Sequence, residues 1–214
     1  MPAIDQTRQQ ILYAAAHLFR DQGYATTTLR QIADATGIKA GSIYYHFASK
    51  DDMLLEVLEV GIRMVTDGVK ERVSMLPADC PAHERIAAGI RGHLFGLLVH
   101  GDFTTANIRV YSQVPDAIKR KHRVTRHAYA NYWDSLLEEA RSRGELRTDI
   151  PISLIRPFIL GSLNWTVEWY EPQEHGSVEQ FAEHVTAIIF DGILASRHGS
   201  ALSKTSAVRG RARQ

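Results

Sequence analysis

The sequence predicts an all-α protein: a small N-terminal three-helix unit of helix-turn-helix type, followed by a C-terminal helical bundle, with about nine helices in all. Two observations predict it. Apolar residues recur at three- and four-residue spacing in segment after segment, which is the period of one face of a helix. Helix-ending and helix-starting signals separate those segments: Thr28 with Gln31 and Ser177 with Gln180 read as capping boxes, Gly23, Gly37 and Gly144 follow apolar stripes, and Pro77 and Pro81 bracket a clear break.

Taken in order, Ile11, Leu12, Ala15, Leu18 and Phe19 form one stripe between about Asp5 and Gln22. The spacing of Leu29, Ile32 and Ala33 gives a second, short helix that begins at Thr28 and ends at Gly37; a third short helix follows the glycine turn to Phe47. Ser49 is placed to cap a long helix to about Val73, with Asp51 and Asp52 in its first turn and Met53, Leu54, Val57, Leu58 and Ile62 on its inner side. A fifth helix runs to about His100 despite Gly89, Gly92 and Gly96; each interior glycine costs about 0.5 to 1 kcal/mol, so either a close helix neighbour or room for a ligand must account for them. A short helix from about Phe103 to Ser112 precedes Pro115, and the next, to about Arg143, carries Tyr129, Tyr132, Trp133, Leu136, Leu137 and Ala140 inward. Asp149 with Pro151 opens an eighth helix to about Glu171, and Ser177 opens a ninth. The expected divisions are 1–50, 51–198 and a disordered basic tail, 199–214, where periodicity is lost.

With 214 residues, 44% of them apolar, the chain holds enough core for a small domain and an ordinary one. Its net charge is only +1, so affinity for nucleic acid must come from local placement of donors. Cys80 is the single cysteine, which excludes an intramolecular disulfide and fits a reducing compartment; the cytoplasm is the expected location. No apolar run approaches the roughly 20 residues of a membrane span, so no membrane role is expected.

The informative stretch is Ile32 to Phe47. If Ile38, Ile43 and Phe47 turn inward, then Lys39, Ala40, Gly41, Ser42, Tyr44, Tyr45 and His46 face out, an unusual surface for solubility alone. A helix, a glycine turn and a second helix with exposed donors is the arrangement in which the second helix enters the DNA major groove. Lys39, Ser42 and Tyr44 are the base-reading candidates, because lysine donates to guanine and a tyrosine ring lies against a thymine methyl. Thr28 and Lys50, at helix starts, suit phosphate, Arg30 suits either, and Gly41 keeps the backbone close to the groove.

The run Gly41-Ser42-Ile43-Tyr44-Tyr45-His46-Phe47-Ala48-Ser49-Lys50, preceded by Thr26-Thr27-Thr28-Leu29-Arg30-Gln31-Ile32-Ala33, closely resembles the DNA-binding signature of the TetR family of bacterial repressors. That resemblance covers about the first quarter of the chain. It implies phosphate contacts from Tyr45 and His46, a homodimer on a palindromic operator of double-stranded DNA, and a small-molecule effector bound in the larger domain. One departure is Ala40, where many relatives have lysine; here the lysine is Lys39.

The rest of the chain supplies less. Helices eight and nine are apolar on more than one side, so Phe158, Leu163, Phe181, Val185, Ile188 and Ile189 are expected to pack on a second copy as a four-helix bundle. Effector-binding candidates are Arg109, Tyr111, Gln113, Trp165, Trp169 and His93, with His100 beside them. The segment Asn164 to Pro172 is similar to TetR-type regulators of fatty-acid and steroid breakdown, which implies an acyl-CoA or related lipid-like effector. The basic run Lys119, Arg120, Lys121, Arg123 and Arg126 is solvated, meets an anionic group of a ligand, or contacts DNA directly. No metal-site, phosphate-loop or nucleophile-elbow motif occurs, so neither catalysis, a cofactor nor a metal is expected. A structural DNA-binding protein without effector is the alternative.

Overall fold

The computed structural model describes residues 3–99 and 101–193, and among them there is no strand. His100 and the tail 199–214 lie outside the described residues. Helices α1 (Ala3–Gln22), α2 (Leu29–Thr36) and a 3-10 helix (Ala40–Tyr45) form the N-terminal head. The long α3 (Lys50–Ser74) leads into the bundle of α4 (Ala82–Leu98), α5 (Gly101–Arg109), α6 (Asp116–Ser142), α7 (Ile152–Trp165), α8 (Pro172–His175) and α9 (Val178–Asp191).

The capping signals are realised in detail. Thr28 accepts from the Gln31 N–H while the Gln31 side chain accepts from the Thr28 N–H, and Ser177 and Gln180 do the same for α9. Gly37 ends α2 in the left-handed region (φ 69°, ψ 21°), and the Ile38 N–H reaches back to the Ala33 carbonyl at 3.1 Å, as in a Schellman closure. Ser49 caps α3 through the Asp52 N–H at 3.0 Å.

Two buried clusters divide along α3. Ile11, Ala15, Phe19, Ile32, Ile43, Phe47, Met53, Leu54 and Leu58 pack with Phe103, Ala106, Val110, Val114 and Ile118, so α5 and the start of α6 complete the core of the head. Val65, Val69, Val73, Ile86, Ile90, Leu94, Trp133, Leu137 and Leu163 belong to the second cluster. Gly61 lies between the two, and a Cβ there would come within 2.5 Å of the Phe103 carbonyl oxygen. At about 1.5 Å per residue the 25-residue α3 spans about 37 Å, long enough to belong to both cores.

The glycines of α4 serve close helix approach. A Cβ on Gly92 would sit 2.5 Å from the Gly68 carbonyl oxygen, one on Gly96 would sit 3.2 Å from Val65 Cα, and one on Gly89 would sit 3.1 Å from the Trp133 ring. Contact with α3 and with Trp133 therefore offsets their poor helix propensity.

Three boundaries differ from expectation. The third short helix of the head is a 3-10 helix, with Ser42 N–H bonded to Lys39 O at 2.8 Å and His46 N–H to Ile43 O at 2.9 Å. The sixth helix stops at Arg109 and is followed by a 3-10 turn, Tyr111–Gln113. The eighth stops at Trp165, because a 3-10 turn at Thr166–Glu168 redirects the chain: the Tyr170 N–H bonds Thr166 O at 2.8 Å, and Trp169 packs edge-on against Phe181.

Candidate nucleic-acid interface and effector cavity

The head presents its polar set to one side because its apolar set is wholly used beneath. Ile32, Ala33, Ile43 and Phe47 are buried, whereas Tyr44 is 63% exposed and Tyr45 89%. Lys39, Ala40 and Gly41 are also exposed, and Ser42 and His46 are partly so. A 3-10 helix of six residues carries these side chains at nearly one-third-turn intervals, so Lys39, Ser42 and Tyr45 follow one row while Gly41 and Tyr44 follow the next. Two aromatic rings left mostly in water are costly unless something else covers them.

The turn before α2 is fastened from below. Lys50 Nζ donates to the carbonyls of Tyr24 (2.9 Å) and Thr27 (2.8 Å) and lies 4.2 Å from the Tyr24 ring centroid, while the Tyr24 hydroxyl donates to Asp51. Burial and this carboxylate push the Tyr24 hydroxyl pKa up, so it remains a donor. Lys50 therefore acts inside the head: its ammonium holds two otherwise open carbonyls. Thr28 is exposed, and its hydroxyl is already engaged with Gln31. Arg30 is exposed, with its guanidinium 4.0 Å from the Asp34 carboxylate one turn on.

In the bundle, α3, α4, α5, α6 and α7 enclose a cavity of about 430 Å³. Ile62, Val65, Leu97, Ile108 and Leu160 make most of its wall apolar, and at Gly161 a Cβ would meet nothing within 4 Å. Into it project His93, Tyr129 and Asn164, linked in series: His93 Nδ1 lies 2.7 Å from the Tyr129 hydroxyl and His93 Nε2 lies 3.1 Å from Asn164 Oδ1. Burial lowers the His93 pKa to about 4, so the imidazole is neutral at pH 7, and burial raises that of Tyr129, which stays protonated. Arg126 and Arg156 also line the cavity; the first lies 4.0 Å from the Tyr111 ring centroid and the second donates to Asp134 at 2.7 Å. Tyr111 separates this cavity from a shallower groove of about 240 Å³ lined by Asp116, Lys119, Arg120 and Arg123. Part of the basic run thus lines a groove that shares Tyr111 with the chamber.

Residues 11–57 match the model of the bacterial regulatory proteins of the tetR family, and residues 79–193, more than half the chain, match the tetracyclin repressor-like C-terminal domain. The chain belongs to the tetR family. Among curated relatives, the HTH-type transcriptional repressor KstR2 of Mycolicibacterium smegmatis is 30% identical over 199 residues, which covers 89% of this chain and 92% of the relative. The fatty acid metabolism regulator protein of Bacillus subtilis is 24% identical, over 86% of this chain and 94% of its own length. Among solved structures, AibR in complex with isovaleryl coenzyme A and operator DNA superposes with a TM-score of 0.75 at 22% identity, over 86% of this chain and 98% of that one, which shows the shared fold.

Within this tetR-family fold, the six effector candidates read from the sequence separate into two groups. His93 and Tyr111 line the cavity; Arg109, Gln113, Trp165 and Trp169 do not. Arg109 pairs with Glu168 at 2.8 Å, Trp165 is 66% exposed on the outside of α7, and Trp169 lies against His175 and Phe181. Gln113 faces the head instead, where its Oε1 accepts from the Ala25 N–H. Sequence reasoning missed Tyr129, Asn164 and Arg156 as cavity residues. A usable signal was present for Asn164: a lone amide on the inward side of the apolar α7.

The expected dimer residues also divide. Leu163 (0% exposed) and Phe181 (5%) lie in the protomer's own core, and Val185 and Ile189 are half-buried against it. Phe158 and Ile188 are open, together with Leu154 and Trp165 on α7, Phe190 near the end of α9 and Ile193 just beyond it. Leu154, Phe158 and Trp165 recur at intervals of four and seven, so they form one apolar stripe on the outer side of α7. Among the described residues no helix is long and apolar enough to cross a membrane, and none are grouped as a metal ion requires.

Proposed function

We propose that this protein is a cytoplasmic transcriptional repressor, without catalytic activity, that binds a palindromic operator as a two-fold dimer and is released when an acyl-CoA or similar lipid-like effector enters the bundle cavity. The observation that carries this reading is one continuous path between the two surfaces. Tyr111 walls the cavity, and Gln113, two residues on in the same 3-10 turn, holds the backbone of the turn that precedes α2.

At the operator, Lys39, Ser42 and Tyr44 read bases, while Thr28, Tyr45 and His46 meet phosphates and Arg30 reaches either. Lys50 supports these contacts by holding the Tyr24–Thr27 turn. The residues 1–50 act as the reading head and 51–198 as the effector and dimer unit. Dimerisation through the outer sides of α7 and α9 covers Phe158, Trp165 and Ile188, which a single protomer leaves in water.

In the cavity the apolar wall receives the acyl part. Lys119, Arg120, Arg123 and Arg126 offer positive charge to phosphates at the Tyr111 side. The KstR2 likeness and the coenzyme A-bound AibR structure support that class of ligand. The ligand must favour the released state by only a few kcal/mol to shift occupancy of the operator.

The test is a gel shift on the DNA upstream of the protein's own gene, titrated with acyl-CoAs, free fatty acids and steroid acids. A specific complex dissolved by at least one thioester is the expected result. A complex unaffected by every thioester removes the acyl-CoA part, and absence of any preferred DNA removes the repressor.

A further inference from the structure

Among the polar side chains that line the cavity, His93, Tyr129 and Asn164, one each from α4, α6 and α7, are joined to one another by hydrogen bonds. Three helices converge on this chain of hydrogen bonds, although polar side chains cost more to bury than apolar ones. His93 is 2% exposed and lies at the centre. A neutral imidazole has one N–H and one lone pair, and both are used here. With Asn164 Oδ1 turned toward His93 Nε2 at 3.1 Å, Nε2 bears the hydrogen, so Nδ1 accepts the hydroxyl hydrogen of Tyr129 at 2.7 Å. The roles along the chain are thereby set: Tyr129 donates, His93 relays, and Asn164 Oδ1 accepts.

That assignment leaves the two hydrogens of Asn164 Nδ2, which no other group takes up among the described residues, on a residue that lines the cavity. We infer that the Asn164 amide nitrogen, oriented by His93 and Tyr129, donates to a carbonyl oxygen in the apolar part of the effector. The inference rests on the effector reading above and narrows it. A saturated hydrocarbon chain at this point would leave the amide dry and unpaired, which disfavours it. A cation is disfavoured for a second reason, since Arg126 and Arg156 line the same space. Two sources supply the same chemistry: the thioester carbonyl of an acyl-CoA, or a ketone on the chain or ring of the acyl group. His93 and Tyr129 are positioning residues, and Asn164 is the group that touches ligand.

Titration calorimetry on the full-length protein with two matched pairs tests this. The first pair is octanoyl-CoA and octyl-CoA, a thioether without the carbonyl; the second is a decalin carboxylic acid with and without a ring ketone. In the wild type, one pair is expected to differ by roughly ten-fold or more in Kd in favour of the carbonyl member, and the pair that shows it identifies the source. Asn164→Asp keeps the shape but removes the donor, so the difference should fall to about two-fold or less. His93→Phe, which leaves Asn164 unoriented, should reduce it as well. Should Asn164→Asp fail to fold, Asn164→Leu, of similar size and without a donor, gives the same reading. Equal binding within both pairs, or a difference that survives in the Asn164 variants, overturns the inference and leaves the effector reading intact. Binding of none of the four probes to the wild type counts against both.

Discussion

Gln113 and Ala25 are joined across the head and the bundle: the Gln113 side-chain oxygen accepts the Ala25 N–H at 3.0 Å. The same amide rests on Gly23, where φ is 85° and a Cβ would approach Gln113 Nε2 to 2.9 Å. The left-handed glycine both turns the chain out of α1 and leaves the space that Gln113 fills. Arg20 and Asp102 form a second link between α1 and α5 nearby.

Gln113→Ala should loosen this joint. One lost hydrogen bond to the backbone is worth about 1 kcal/mol, so the melting temperature should fall by a few degrees and operator affinity several-fold. Thermal melts together with a gel shift check this. Unchanged operator affinity would show that the joint does not hold the head in its reading position.

Lys39→Ala and Tyr44→Ala each remove an exposed side chain with no core role, so helix content and assembly state should be unchanged. Each base contact is worth about 1 to 3 kcal/mol, and specific gel-shift affinity should fall by ten-fold or more. Undiminished affinity in both variants would falsify their assignment as readers.

Gly92→Ala should destabilise the bundle by about 1 to 3 kcal/mol in urea unfolding, because the new methyl would meet the Gly68 carbonyl at 2.5 Å and Val69 Cα at 2.7 Å. Both obstacles are backbone and cannot rotate aside. Full stability in this variant would mean that α3 and α4 are not packed this closely.

Phe158→Asp and Ile188→Glu place charge on the outer sides of α7 and α9 and should yield monomers in sedimentation with little loss of protomer stability. Leu163→Ala should behave oppositely, with a loss of about 2 to 5 kcal/mol and no direct effect on assembly, because Leu163 is fully buried within the protomer. Dimers that persist in both charged variants would place the interface elsewhere.

Glu145 caps the start of α4 from a distance. Its carboxylate accepts the Ala82 N–H at 3.0 Å and the His83 N–H at 2.9 Å and meets the His83 ring at 2.6 Å. The His83 N–H first, then the Ala82 N–H and the His83 ring, hold its pKa at about 2 against an ordinary 4.5. A carboxylate lowered on folding stabilises above its unfolded pKa and loses that contribution as the pH falls through its folded one. Urea midpoints for wild type and Glu145→Gln should therefore differ above pH 4.5 and converge as the pH falls toward 2. A difference independent of pH over that window would exclude the carboxylate as its source.

Local signals were legible where one short stretch carries the whole cause. Thr28 with Gln31, Gly37, Ser49, and Ser177 with Gln180 each act on backbone groups within four residues, and each is where its sequence places it. The outward set Lys39 to His46 was legible for the same reason, since helical periodicity separates it from Ile43 and Phe47 within one turn. Its 3-10 geometry was not legible, because the choice between bonds to the third and fourth residue depends on how Ile43 and Phe47 seat on α1 and α3.

Residues that share a stripe can still meet different partners, and here the sequence ran out. Trp165 and Asn164 are adjacent, yet the turn of α7 sends one to the open surface and the other into the cavity. Phe181 and Ile188 lie on the same helix, yet one fills the protomer core and the other stays exposed. Periodicity reports that a side is apolar but not what covers it.

Taken by itself, the amino-acid order determined the helical class, the capped ends and the head with its tyrosines facing outward, because these depend on interactions among near neighbours in the chain. Only the tertiary structure decided that Gln113 reaches the head, that Lys50 is turned inward to two carbonyls and that His93, Tyr129 and Asn164 meet in one chamber. Those contacts join residues 23 to 88 positions apart, and such pairings follow from how whole helices pack, which no local pattern encodes.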